Sequence, residues 1–179
     1  MKQALFAVCL LLLALAASPS SAQEDSAVGL AVRIVPTSFT ETGGRAITLF
    51  DPSQHFSVVL TNVGKSPVRL WRDWCSWGYF NLSFEATDQD GTHVTVTKNP
   101  RAWDKNYPDW TIIPPGDHMV IEVAFDATTW KNAPLPPPGQ HRTVALRAVY
   151  EVPEDAEAKT NKVWTGKASS PANTYTLFR

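Results

Sequence analysis

Seven tryptophans, Trp71, Trp74, Trp77, Trp103, Trp110, Trp130 and Trp164, are the residues of this chain most suited to recognition chemistry. Five of them fall in segments read as loops or strand ends. Exposed indole rings stack on sugar faces and anchor protein partners. Trp74, Trp77, Trp103 and Trp110, with Tyr107 between the last two, are therefore the candidate binding residues. Packing is the competing reading. Trp71, Trp74 and Trp77 would then cap one end of the fold, and the loops carrying Trp103 and Trp110 would fold back over it, because large aromatics are mostly buried.

Other chemistries find thinner support. Asp88-x-Asp90-Gly91 resembles the opening of a calcium loop, but the twelfth position, where a bidentate glutamate belongs, is Asn99. A hairpin turn explains Asp-Gly fully. His55, His93, His118 and His141 are isolated, with no ligand spacing for zinc or copper. Cys75 has aromatic rather than electropositive neighbours in sequence, which disfavours a thiolate nucleophile. Asp104 and Asp109 flank Tyr107-Pro108 and are read as a solvated pair. No nucleophile elbow, zincin helix or phosphate loop occurs. The expectation is a protein without enzymatic activity, cofactor or metal.

The N-terminus reads as an export signal: Lys2, an apolar run from Ala4 to Ala17, then Ser20-Ser21-Ala22 at a cleavage site. Cleavage after Ala22 leaves a single domain, Gln23 to Arg179, that is secreted or periplasmic. Cys9 leaves with the signal, so Cys75 is alone, no internal disulfide forms, and burial is its expected fate. The remaining fifteen basic and seventeen acidic residues give no basic patch for nucleic acid. No further apolar span predicts membrane insertion.

These residues must be positioned by strands. Trp71 to Thr87 is the central stretch, with Phe80, Leu82, Phe84 and Ala86 on one side and Tyr79, Asn81, Ser83 and Glu85 on the other. Its apolar mass predicts a strand in the middle of a sheet. Val28 to Ile34, Phe56 to Leu60, Met119 to Phe125 and Val144 to Val152 alternate in the same way. Asn62 to Ser66, Asp88 to Gly91 and Pro114 to Asp117 are turns. Two long connections, Lys98 to Trp110 and Asp126 to Gln140, carry aromatic and proline residues. No helix beyond one turn near Pro153 to Lys162 is predicted. Eight or nine short strands with turns between them predict an antiparallel β-sandwich.

The series FSVVLTNVGKSPVRL (Phe56 to Leu70), FEATDQDGT (Phe84 to Thr92) and IIPPGD (Ile112 to Asp117) resembles the immunoglobulin-like sandwiches of exported bacterial proteins. VWTGKASS (Val163 to Ser170) is similar to their final hairpin. More distantly, the order is similar to the proteinase-inhibitor domain of the BsuPI type. The resemblance implies an immunoglobulin-like β-sandwich and carries no catalytic residue. It leaves three roles open: a binding or structural module with a protein partner, a carbohydrate-binding module, and a proteinase inhibitor acting through Lys98 to Trp110 or Pro134 to Gly139.

Overall fold

The computed structural model describes residues 29–51 and 54–179. The expected export signal, Met1 to Ala22, and Val28 at the head of the first predicted strand lie outside the described residues. Strand β1 (Leu30–Val35) is followed by β2 (Ser38–Phe39), β3 (Arg45–Thr48), β4 (Phe56–Asn62) and β5 (Val68–Trp71). A four-residue helix, α1 (Ser76–Tyr79), precedes β6 (Leu82–Asp88) and β7 (His93–Lys98). Next come β8 (Trp110–Ile113), β9 (His118–Val123), β10 (Trp130–Lys131) and the long β11 (His141–Val152). Helix α2 (Ala156–Asn161), β12 (Gly166–Ser169) and β13 (Asn173–Phe178) complete the described chain.

The architecture is all-β. One sheet has the order β1-β4-β9, and a larger one runs β10-β7-β6-β11-β13-β3-β2, with β12 also paired to β11. A two-stranded sheet joins β5 to β8. The inner faces of the two main sheets meet in one apolar core. On β4, Phe56, Val58 and Leu60 are buried while Ser57, Val59 and Thr61 are half-buried. On β6, Leu82, Phe84 and Ala86 are buried. Phe56 meets Phe84 edge-on at 5.7 Å, and Phe125 meets both at 5.0 Å. Such burial fixes register, because a slip by one residue would turn every one of these side chains toward water.

Four expectations are corrected. Among the described residues thirteen strands replace eight or nine, the extra pieces including the two-residue β2 and β10. The sheet is not wholly antiparallel, since β13 pairs with β3 in parallel. β12 and β13 do not form a closing hairpin: both add to the same edge of β11, β13 along its first half and β12 along its last residues. Finally, the alternation of the central stretch begins at Leu82. Ser76–Tyr79 turns as a helix, which buries Tyr79 and Asn81 and leaves Phe80 half-exposed. β6 does lie between β7 and β11, in the interior of its sheet.

Polar side chains stitch the fold together. The Arg147 guanidinium donates to Glu85 directly opposite, Nε to Oε2 at 2.9 Å. Arg142 grips Asp88 with two donors, Nε to Oδ1 at 2.8 Å and Nη2 to Oδ2. The buried Ser170 hydroxyl accepts from the Ala148 amide at 3.0 Å and donates to the Pro171 carbonyl at 3.1 Å. Asp155 caps α2 by accepting from the Ala158 amide at 2.7 Å.

One buried pair is unsatisfied. The Tyr150 hydroxyl and the Asn81 amide nitrogen, both shielded from water, meet no hydrogen-bond partner among the described residues. Burial pushes the Tyr150 hydroxyl well above its ordinary pKa, and the neighbouring Asn81 side chain opposes that rise in a geometry short of a hydrogen bond. Deleting an unpaired hydroxyl removes desolvation without removing a bond. Tyr150→Phe is thus expected to leave stability within about 1 kcal/mol of the parent or to raise it, measured by urea unfolding. A loss above about 2 kcal/mol would show that the hydroxyl is bonded.

Candidate functional site

Two loops meet beyond the paired ends of β5 and β8. Trp71 lies opposite Trp110, and the Arg72 amide donates to the Asp109 carbonyl at 3.0 Å, extending the ladder one step. The chain then turns sharply into α1. The Cys75 thiol donates to the Arg72 carbonyl at 3.2 Å, and the Asp109 carbonyl lies 3.7 Å from it. The Trp74 indole N–H donates to Asp109 Oδ2 at 3.1 Å, and Arg72 Nε pairs with the same oxygen at 3.2 Å. Asn106 closes the far side, accepting from the Ser76 amide at 3.0 Å and donating to the Ser76 hydroxyl at 2.7 Å. The two loops therefore hold one arrangement through side-chain and backbone bonds together.

That scaffold sorts the aromatic residues. Trp71 is buried, and Trp77 and Trp110 pack against the core around it, at 6.2 and 6.1 Å from its ring. Arg69 covers Trp110 at 5.4 Å. Outside this layer Tyr107 is 57% exposed and meets Trp74 edge-on at 5.0 Å. A second group comprises Trp103, Tyr79 and the 50% exposed Phe80, the two outer rings meeting Tyr79 edge-on at 5.4 and 4.9 Å. Of the five predicted binding residues, Trp74, Trp103 and Tyr107 are thus on the outer layer. Trp77 and Trp110 support it from beneath.

Two cations complete the face. Lys98 Nζ lies over the Tyr79 ring at 4.4 Å and over Trp130 at 5.6 Å. The Arg101 guanidinium lies over Trp103 at 4.1 Å and over Tyr79 at 5.1 Å. Burial pushes the Lys98 ammonium below its ordinary pKa; Asp73 opposes the shift and Arg101 adds to it. The segment is anchored at its start, where the Asn99 amide donates to the Ala127 and Thr128 carbonyls at 3.2 and 2.9 Å. Tyr79, Phe80, Lys98 and Arg101 were not among the sequence candidates. The available signal was Lys98-x-x-Arg101-x-Trp103, a basic pair beside an indole; Tyr79 joins it only through the docking of the loops.

The remaining candidates resolve simply. Cys75 is fully buried and free. Asp88 is occupied by Arg142, and Asp90 accepts from the Thr92 amide at 2.8 Å, as a tight turn requires. That amide bond lowers the Asp90 pKa. The four histidines are exposed, and no cluster of metal-binding side chains occurs among the described residues. Asp109 is bound to Trp74 and Arg72. No helix among the described residues is long and apolar enough to cross a membrane. At another place on the fold a groove of about 720 Å³ is lined by residues including Leu49, Phe50, Phe125, Asp126 and Arg179. Burial raises the Asp126 carboxyl there, but hydrogen bonds from Thr128 and Thr129 outweigh it and hold the pKa below the ordinary value. No protein-family model, curated protein or solved structure matches the chain.

Proposed function

We propose that this chain is an exported, non-enzymatic binding module with an immunoglobulin-like sandwich, and that it recognises its ligand through the face made by residues 72–81 and 98–110. One observation carries the reading. The two loops bond to each other through Arg72, Trp74, Ser76, Asn106 and Asp109, while Phe80 and Tyr107 stay half-exposed on top of them. Rings held in advance lose little conformational freedom on binding, and rigid aromatic anchors give the most affinity for that reason. Nothing comparable favours an inhibitory loop at Pro134 to Gly139, where Pro134 and Pro136 are buried and Gly139 is tied to the Arg179 carbonyl.

Hydroxyl-radical footprinting with mass spectrometry tests the face directly. In the free protein Phe80 and Tyr107 are expected to oxidise fastest, with Trp103 and Trp74 intermediate and Trp71 and Trp130 protected. A bound ligand should then protect the first four. Protection of Phe50 and Leu49 instead would move recognition to the groove and overturn the assignment.

A further inference from the structure

We propose that the ligand of this face is an acidic saccharide whose carboxylate or sulfate is seated between Lys98 and Arg101, with its sugar ring against the neighbouring aromatic side chains. The inference rests on the two-loop face being a binding surface, and it names what that surface takes.

Charge points to an anionic ligand. Lys98 and Arg101 lie over the same Tyr79 ring, so their separation is at most the sum of the two ring distances. Neither makes an ion pair or a side-chain hydrogen bond among the described residues, although the chain contains as many acidic as basic side chains within one. Arg72, Arg142, Arg147, Lys159 and Lys167 have carboxylate partners, whereas Arg33, Arg45, Lys65 and Lys131 have none either among the described residues; what sets Lys98 and Arg101 apart is that they share one aromatic ring. Arg101 repels Lys98, and the charge of Asp73 offsets that repulsion without pairing with the ammonium. The pair becomes favourable when an anion enters, and a half-buried ammonium with free donors gains most from one.

The surrounding rings point to a sugar. Phe80, Tyr79 and Trp103 are contiguous, and Trp103 and Phe80 both reach the surface. The axial C–H groups of a pyranose pack on such faces, as apolar bodies do. A simple anion would not need the rings, and a neutral sugar would not need the cations. A ring that itself bears an anionic group uses both. The chain as a whole is near neutrality, so the attraction is local to this pair and falls with added salt.

The test is isothermal titration of the whole domain at low salt with four probes: tetragalacturonate, a heparin-derived tetrasaccharide, cellotetraose and a short oligothymidylate. One acidic saccharide is expected to bind at least about tenfold more tightly than cellotetraose and the oligonucleotide. Tetragalacturonate or the heparin fragment leading will say whether carboxylate or sulfate is read. Lys98→Met, which keeps the aliphatic stem, should weaken that binding about thirtyfold, and Arg101→Gln about tenfold. Each change removes cation–π contacts but no hydrogen bond or ion pair, so the melting temperature should fall by no more than about 4 °C. Cellotetraose binding as tightly, with both variants unaffected, would overturn the inference and leave the binding face standing. Preference for the oligonucleotide would overturn it likewise. If no probe binds, the inference fails, and footprint protection of Phe80 and Tyr107 by a protein ligand would then decide the broader reading separately.

Discussion

Replacement of Asn62 by leucine is expected to destabilise the fold by about 3–5 kcal/mol, the largest loss of any single polar side chain here. Asn62 is fully buried at the end of β4, and every polar atom it has is used. Its amide nitrogen donates to the Ser66 and Ile113 carbonyls, both at 2.9 Å, and its side-chain oxygen accepts from the Gly64 amide at 2.9 Å. Its backbone joins the neighbouring turn twice, to the Asp117 carbonyl at 2.9 Å and from the Gly116 amide at 2.8 Å. Leucine fills similar space but strands the Ile113 carbonyl away from water and releases the 62–67 turn. Gly64 shares in the lock: a Cβ there would stand 3.2 Å from Asn62 Oδ1. Asn62→Asp separates hydrogen bonding from packing. It keeps the acceptor for Gly64 but turns an oxygen toward two carbonyls. The buried carboxyl should hold its proton in the folded state, so its folded pKa lies above the unfolded value. Between those two values the folded state binds more protons, and stability falls as pH rises. Urea unfolding at pH 4 and pH 7 should therefore show the aspartate variant closer to the parent at pH 4. Equal losses at both values would show that the carboxylate reaches water.

The same lock explains why much of this fold is legible in the sequence. Asn62, Gly64 and the Pro114 to Asp117 turn stand out as separate turn signals, and in space they are one joint. β1, β4, β6, β9 and β11 follow their alternation because one face of each enters the core, and local pattern records that burial. Asp88 to Gly91 turns where an Asp-Gly signal places it. The failures are non-local. α1 is too short to show a helical period, so Tyr79 and Phe80 exchange their expected sides. Parallel pairing of β13 with β3 joins strands with almost the whole domain between them, and no local signal records it. The tryptophans divide along the same line. Their residue type marks an aromatic end of the fold, but whether Trp110 supports the face or presents it depends on Trp71, its partner across the ladder. Lys98 and Arg101 come to matter only when Tyr79 is brought beneath them.

Gly78 controls whether that happens, and Gly78→Ala is expected to open the aromatic face and expose Cys75. A Cβ at this position would lie 2.1 Å from the Arg72 carbonyl oxygen, 2.7 Å from its carbon and 3.0 Å from Trp71 Cβ. These are backbone and core atoms, so no side-chain rotation relieves the clash. The Arg72 carbonyl also accepts from the Cys75 amide at 3.4 Å and from its thiol, while Gly78 and Tyr79 donate to the Cys75 carbonyl at 3.1 and 2.9 Å. Moving α1 away from Arg72 therefore loosens the whole turn and carries Tyr79 from beneath Lys98. Overpacking against a fixed backbone costs about 2–4 kcal/mol. If the loss is confined to this turn, it appears as local opening rather than global unfolding. In the parent protein the buried thiol should react with an aromatic disulfide reagent only through rare openings. In Gly78→Ala the rate should rise about a hundredfold, with a smaller shift in the urea midpoint. Cys75→Ser in the same background provides the reagent blank. Because Lys98 and Arg101 remain in place, loss of ligand binding in Gly78→Ala would trace recognition to the geometry of the cluster rather than to charge alone. Unchanged thiol reactivity would mean that alanine is accommodated at Gly78 and that α1 does not pack on the Arg72 carbonyl.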